Sequence, residues 1–581
     1  MKYVFFSMKE RFLESKCHSI IFLLLSAFLS IYIVLISIPN ESLVLYSDFY
    51  FPLAHSTELF NRYLRVQADW NYPEFNNPRQ LMQLMYQFLI YSAHEMGLEM
   101  DVIQKVIISF LIFSGLCGVR LLLTSHEKVN SNNLIVFLCA GLLYLFNPYA
   151  ISSVWQRINL GVIAYCLFPI LVYVFIKTLR HGGWWYSIYG GVIILIAQSS
   201  NPVHLLSSSL LGILLASIMA DIKIIDKNFF IQIFKLISIG LVVNLYWIIP
   251  FFLNISDQYA VSQNNLSSPD ILSMRSALAT KSTLVNWISL NPFWTAFEAS
   301  IVKSSAYLKY CQSAVMILFA YALLTLGREP NDGKLRNFYL LVLLFVSSLF
   351  MVKYFLYLPF WFVLDALYIG AGFRDPFEKT AYFTNLVFIV FVYSTFLSQG
   401  KIRIAIVAFL TIFAVLPGLK GDLFYTQTFD PYQATGKIPE FFKDPDRIKK
   451  IIDSPNRILP IPFFEAKYGG QYKLDEGVFT GMTPLYWQNG VQIVSGNNEF
   501  SLKIEKAASS PSPQAVMNFY RLLRSAKIQY IFVSKNYICP KDSIAECERQ
   551  FFMMEALEKE SMVKVVNIDF PYFLFKLIEN P

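Results

Sequence analysis

Apolar runs of bilayer length recur along the chain, separated by short polar breaks. They fall at about 19–38, 103–124, 133–151, 160–179, 184–200, 204–221, 231–253, 309–326, 337–358, 380–398 and 402–418. A membrane-spanning helix needs about 20 predominantly apolar residues. The pattern therefore predicts a polytopic α-helical membrane protein with about eleven transmembrane helices. One more stretch, 81–96, is apolar but interrupted by Gln83, Gln87, His94 and Glu95, and reads as a re-entrant or interfacial helix. No small-residue cleavage site follows the first run, which reads as an uncleaved helix.

After Pro417 the pattern changes. Turn signals stand at Asp444-Pro445, Ser454-Pro455, Gly469-Gly470 and Asn489-Gly490. Short apolar runs, 458–461, 530–533 and 563–566, read as strands, and 438–452 and 513–527 read as helices. The expected organisation is a transmembrane domain over 1–418, with its first outer loop at 39–102, and a compact α/β or α+β domain over 419–581.

Charge orients these segments. Lys2, Lys9, Arg11 and Lys16 precede the first run, which puts the N-terminus in the cytoplasm. Alternation then makes the loops with Lys128, with Lys177 and Arg180, with Lys223 and Lys227, with Arg328, Lys334 and Arg336, and with Lys401 and Arg403 cytoplasmic. All are short and basic, as the positive-inside rule requires. A span at 81–96 would reverse that bias. The odd count places 419–581 outside the cell (inner or plasma) membrane.

Composition agrees. The 581 residues are 55% hydrophobic and only 15% charged, against about 25% charged in soluble domains. The net charge of +8 is scattered, which suits cytoplasmic loops and anionic lipid and not nucleic acid. Cys17, Cys117, Cys139, Cys166 and Cys311 lie in or beside apolar runs and read as small core hydrophobes. Cys539 and Cys547 stand apart in the tail, where a disulfide and two free thiols are both open.

Candidate chemistry gathers on the outer side. Asp48, just beyond the first run, lies among Phe49, Tyr50 and Phe51, aromatics suited to headgroup depth. A carboxylate there can take a proton from a hydroxyl; it can equally be a solvated loop aspartate or a cap before Pro52. The loop continues with His55, Glu58, Arg62, Arg65, Asp69 and Trp70 on an amphipathic pattern, with Asp69 a second candidate carboxylate. Arg62, Arg157, Arg374 and Lys379 are candidates for a phosphate, since guanidinium and ammonium groups answer its charge. Each also has a bland reading, in lipid contacts or in ion pairs such as Arg374 with Glu378. His204 follows Asn201-Pro202 and is either a substrate contact or a helix-end histidine, and His55 and Glu58 are further substrate-contact candidates. There is no Walker A loop, no Gly-x-Ser-x-Gly elbow and no paired Cys/His metal motif. The cofactor is left open, with a divalent cation compatible. The cytoplasmic loops are too short to build a nucleotide-sugar site, so any donor is expected outside and lipid-bound.

Asp48-Phe49-Tyr50-Phe51-Pro52-Leu53, followed by Leu59, Arg62 and Trp70, resembles the first outer loop of membrane glycosyltransferases of the GT-C fold. Asn147-Pro148-Tyr149 with Arg157, and Phe373-Arg374-Asp375-Pro376, are similar to motifs of the arabinofuranosyltransferase type. The 456–462 and 526–533 stretches resemble the extracytoplasmic domain of YfhO-type membrane glycosyltransferases. The resemblance implies an inverting transferase that uses a polyprenyl-phosphate-linked sugar and a glycan or glycolipid acceptor, with Asp48 as general base. Many GT-C enzymes carry two adjacent acids there; here Ser47 precedes Asp48, so a second acid would come from Glu58 or Asp69. Two other readings stay open: a lipid-linked glycan flippase or transporter, and a polysaccharide polymerase or ligase.

Overall fold

The structure is a computed structural model. It describes residues 2–44, 81, 83–125, 134–155, 161–197, 202–220, 227–253, 290, 305–326, 331–349, 376–396, 400–424, 435–444, 446–452, 457–462, 470–474, 477–481, 485, 492–493, 503, 507, 512–539, 544–569 and 571–578. Helices are α1 (Lys2–Ser37), α2 (Leu84–Glu95), α3 (Met100–Thr124), α4 (Leu134–Phe146), α5 (Gly161–His181), α6 (Trp184–Ile196), α7 (Pro202–Met219), α8 (Lys227–Leu253), α9 (Ser305–Leu326), α10 (Asn331–Leu349), α11 (Pro376–Ser394) and α12 (Lys401–Leu419). A helix lies at each of the eleven apolar runs, and α2 lies at 81–96. Among the described residues five helical segments are long and apolar enough to cross a membrane: His18–Ser37, Met100–Thr124, Gly161–His181, Asn228–Pro250 and Lys401–Leu419. The chain divides into two compact units, Met1–Ser37 with Lys105–Leu423, and Ile38–Gln104 with Phe424–Pro581.

In the first unit α4 and α11 are the inner helices. Almost every described side chain of α4 from Val136 onward and all those of α11 from Ala381 are buried, as befits helices apolar on all sides. Around them α5 packs on α6 and α7, α9 on α12, α12 on α4, and α10 on α11. The outer helices α1 and α8 instead show Leu24, Phe28, Phe234 and Val242 to the surroundings, the apolar exposure expected of lipid-facing helices.

Basic side chains tie helix ends together. Arg120 near the end of α3 donates to the Ser19 hydroxyl at 2.7 Å and lies over the Phe22 ring. Arg180 at the end of α5 donates to the carbonyls of Ser125, just past α3, and of Met219, the last residue of α7. Helix C-termini leave carbonyls without intrahelical partners, and a cation there satisfies them and the helix dipole together. Lys235 of α8 donates to the Gly182 carbonyl at 2.9 Å and sits over Trp184.

Gly421 closes the turn after α12 with φ +84°, and a Cβ there would lie 2.7 Å from the Ile36 carbonyl oxygen at the end of α1. Both the left-handed backbone and the backbone neighbour exclude a side chain. We expect Gly421→Ala to cost about 2 kcal/mol or more, read as a lower melting temperature of the detergent-solubilised protein; an unchanged melting curve would contradict this packing.

The second unit is built on a five-stranded mixed sheet. Its strands follow a two-residue pair, β1 (Leu43–Val44) and β2 (Thr435–Gly436), and are β3 (Arg457–Ile461), β6 (Gln492–Ile493), β7 (Ile528–Ser534), β9 (Val563–Asp569) and β10 (Tyr572–Leu577). A three-stranded sheet holds β4 (Gly470–Leu474), β5 (Gly477–Gly481) and β8 (Tyr537–Ile538). In the larger sheet the order is β6-β3-β7-β10-β9, with β3 parallel to both β6 and β7 and the β7, β10 and β9 neighbours antiparallel.

Four short or amphipathic helices complete the unit: α13 (Glu440–Lys443), α14 (Arg447–Ile451), α15 (Pro513–Ser525) and α16 (Ile544–Lys559). The expected helix over 438–452 is split into α13 and α14. Asp444 takes an extended backbone, φ −86° and ψ 105°, because the ring of a following proline crowds the helical conformation. Lys450 donates to Asp444 at 2.7 Å across the break and holds its carboxyl below the usual range. The expected helix over 513–527 is α15, started by Ser512, whose hydroxyl accepts from the Ala515 amide.

The central strand β7 explains the unbroken apolar run at 530–533. Ile531 and Val533 join the core made with Phe519, Leu523, Met553 and Leu557 of α15 and α16. Phe532 instead meets Phe441, Phe442 and Tyr572 in an aromatic cluster. A strand covered on both faces loses the apolar–polar alternation of a half-exposed one. Cys539 and Cys547 form a disulfide between the end of β8 and α16. Among the described residues Cys139, Cys166 and Cys311 are buried free thiols and Cys117 is partly buried.

Candidate active site

Asp48, His55, Glu58, Arg62, Asp69, Arg157 and Arg374 lie outside the described residues. Lys379 is in the first turn of α11 and His204 in the first turn of α7, with only their backbones described. What the structure does describe is two pieces of framework from which these segments depart.

The first is at the base of the outer loop. β1 pairs antiparallel with β2, Leu43 opposite Gly436 and Val44 opposite Thr435. On the other edge stands Gln104, five residues into α3 and fully buried. Its side-chain oxygen accepts from the Val44 amide at 2.7 Å, and its side-chain nitrogen donates to the Val44 carbonyl at 3.2 Å. In antiparallel pairing successive residues turn their amide and carbonyl to opposite edges. A primary amide carries the same donor and acceptor as a peptide group, so Gln104 occupies the place of a further strand. Leu43, Val44 and Thr435 are buried, and Glu41 and Lys437 form an exposed ion pair beside them at 3.4 Å. Exposed pairs of this kind contribute little.

The second piece joins α4 to α11. Pro148 has no amide to complete the last turn of α4. The Asn147 side chain supplies one instead, donating to the carbonyls of Leu143 at 2.8 Å and Tyr144 at 3.0 Å. The same nitrogen reaches Asn385 of α11 at 3.0 Å, while its oxygen accepts from the Ala150 amide at 3.0 Å. Ala150 opens a π-helical turn, Ala150–Trp155, pinned by the Trp155 indole donating to the Leu145 carbonyl at 2.7 Å. Tyr165 of α5 closes the network: it donates to the Tyr144 carbonyl, accepts from Asn385 and stacks on Tyr144 with ring centres 4.4 Å apart. Buried polar groups of this kind are costly unless each finds a partner; here they satisfy one another.

Two stretches singled out in the sequence leave this network. Asn147 is the first residue of Asn147-Pro148-Tyr149, and Arg157 follows the π-helical turn by two positions. Asn385 is on the helix whose first turn holds Lys379, six residues earlier, about 9 Å along a helix axis. Sequence reading missed Gln104, Tyr165 and Asn385. Gln104 adjoins Lys105 and Asn385 adjoins Thr384, so neither stood out as a lone polar residue in its run. Among the described residues, no group of three or more His, Cys, Asp or Glu is placed to hold a metal ion.

The cryo-EM structure of the arabinofuranosyltransferase AftD from Mycobacteria matches 96% of this chain with a TM-score of 0.64 at 14% identity. The fold is GT-C. Two structures of a point mutant of AftD match the same share with TM-scores of 0.61 and 0.60. The chain spans about 40% of the length of AftD. No family model and no curated protein matches the sequence. At this identity the likeness to AftD establishes the GT-C architecture alone, and the chemistry is argued below.

Proposed function

We propose that the chain is a membrane glycosyltransferase that moves a sugar from a polyprenyl-phosphate donor to an extracytoplasmic glycan or glycolipid, with inversion. The observation that carries this reading is the GT-C likeness over 96% of the chain. Asp48 serves as general base. Its carboxylate takes the proton of the acceptor hydroxyl as that oxygen attacks the anomeric carbon. The bond from that carbon to the phosphate breaks, and the polyprenyl phosphate leaves with the electron pair. Some of Arg62, Arg157, Arg374 and Lys379 meet its charge. Asp69 or Glu58 stands as the second acid, and His55 and His204 as substrate contacts.

Multi-pass insertion with about eleven spans and a cytoplasmic N-terminus supports a site on the outer side. Arg120 near the end of α3 bonds Ser19 near the start of the apolar run of α1, so these two helices run in opposite directions. That direction agrees with 81–96 not crossing. The disulfide of Cys539 with Cys547 suits an oxidising compartment for 419–581. The described span interiors favour an enzyme over a transporter: of the polar residues within the runs, Asn244 bonds inside its own helix, to the Gly240 carbonyl and the Trp247 indole, and Lys235, near a span end, bonds the Gly182 carbonyl.

Purified protein supplied with short-chain polyprenyl-phosphate sugars and an acceptor glycan tests the reading. Sugar transfer with release of polyprenyl monophosphate is expected. Release of a diphosphate from a lipid-diphosphate glycan would point to a polymerase or ligase. Movement of the lipid-linked glycan across a vesicle membrane without release would point to a flippase.

A further inference from the structure

We infer that Gln104 is a positioning residue for the loop that carries Asp48, acting as a one-residue strand on the free edge of β1. The inference rests on the reading of Asp48 given above.

Asp48 lies four residues beyond Val44, at most about 14 Å of extended chain. Whatever fixes Val44 therefore limits where Asp48 starts from. A strand of two residues has too few bonds of its own to be held in place. On one edge β2 pairs with it; on the other, among the described residues, a single side chain does, and both polar atoms of that side chain go to Val44. Gln104 is fully buried and spends both side-chain polar groups on one backbone residue sixty positions away. For its own helix that arrangement does nothing. The amide is accounted for by the strand it completes. General base catalysis demands that the carboxylate meet its proton at hydrogen-bond distance, and small misplacements remote from the chemistry cost large factors in rate.

The test uses the full chain in detergent or nanodiscs, comparing wild type with Gln104→Met, which keeps the length and loses both bonds, and with Gln104→Glu, which keeps the acceptor for the Val44 amide. Hydrogen exchange is followed on peptides covering 42–46, and transfer is followed with farnesyl-phosphate arabinofuranose as the probe. For Gln104→Met we expect exchange at Val44 to rise about tenfold with the rise confined to 42–46, and kcat to fall about tenfold with KM for the donor within about twofold. Gln104→Glu should fall between. Three outcomes would overturn the proposal: exchange at Val44 equal to wild type, a local rise in exchange with kcat unchanged, or a rise spread over the whole unit with a lowered melting temperature. If the wild type transfers none of a panel of polyprenyl-phosphate sugars, the catalytic reading fails, while the exchange data still decide whether Gln104 holds the strand.

Discussion

Asp48→Asn should reduce sugar transfer by about 10²–10⁴-fold, the range a general base contributes. The substitution keeps volume and hydrogen-bonding shape but cannot accept the acceptor's proton. Its effect should fall on kcat, since the acceptor hydroxyl loses its proton only as the new bond forms. Donor binding rests on phosphate contacts and the prenyl chain, so KM for the donor should hold within a few-fold. Asp48→Ala should behave alike. Asp69→Asn and Glu58→Gln separate the two candidates for a second acid: the one that serves should lose activity next most. Wild-type turnover in Asp48→Asn, with both proteins equally folded, would remove the base from the mechanism and leave the fold untouched.

Asn147→Leu should destabilise the first unit by about 2–4 kcal/mol. The change removes the side-chain donor that completes α4 where Pro148 has none, and the acceptor for the Ala150 amide. It also takes a bonding partner from the side-chain oxygen of Asn385 in a buried site. An unsatisfied buried group costs about 1–3 kcal/mol, although interhelical bonds in membranes average less. The loss is a large part of a typical total of about 5–15 kcal/mol. It should appear as a lower melting temperature and as aggregated protein after solubilisation. Asn385→Leu alone should also be harmful, whereas the double variant should be less damaging than the sum of the two, because each residue is a partner of the other. Strict additivity, or an unaltered single variant, would show that the network carries no stability.

The elements most legible in the sequence were those with a period to read. Apolar runs at bilayer length marked the positions of α1 and α3 through α12, and Ser512-Pro513 marked the start of α15. Expected and observed bounds differ where polar residues join a helix: α10 begins at Asn331 and takes in Asp332, Lys334 and Arg336 ahead of the apolar run at 337. The split of 438–452 was written in Asp444-Pro445, the turn signal inside the expected helix. Other features have no local signature. β1 and β2 are too short for any periodicity, and their pairing is a tertiary fact. The mixed order of the larger sheet depends on which strands meet, and alternation along one strand says nothing of its neighbour. Asp48, Arg62, Arg157 and Arg374 were singled out by residue type and motif, since chemistry of the proposed kind needs a carboxylate and cations, and they lie outside the described residues. Gln104 and Asn385 were not singled out, because beside Lys105 and Thr384 they read as ordinary polar residues near the start of a helix until their partners are known.

The pairing of β1 with β2 has a consequence for how the protein is made. Leu43 and Gly436 are about 390 residues apart. At translation rates of about 5–20 residues per second, the segment leading to Asp48 emerges tens of seconds before its strand partner exists. Until then Gln104 is the only one of its two edge contacts that has been synthesised. A chain halted among the membrane helices would present the loop with one edge of β1 bare. Completion of the segment leading to Asp48 thus waits on delivery of Thr435 and Gly436, and the pairing ties readiness at the N-terminal loop to synthesis of nearly three quarters of the polypeptide.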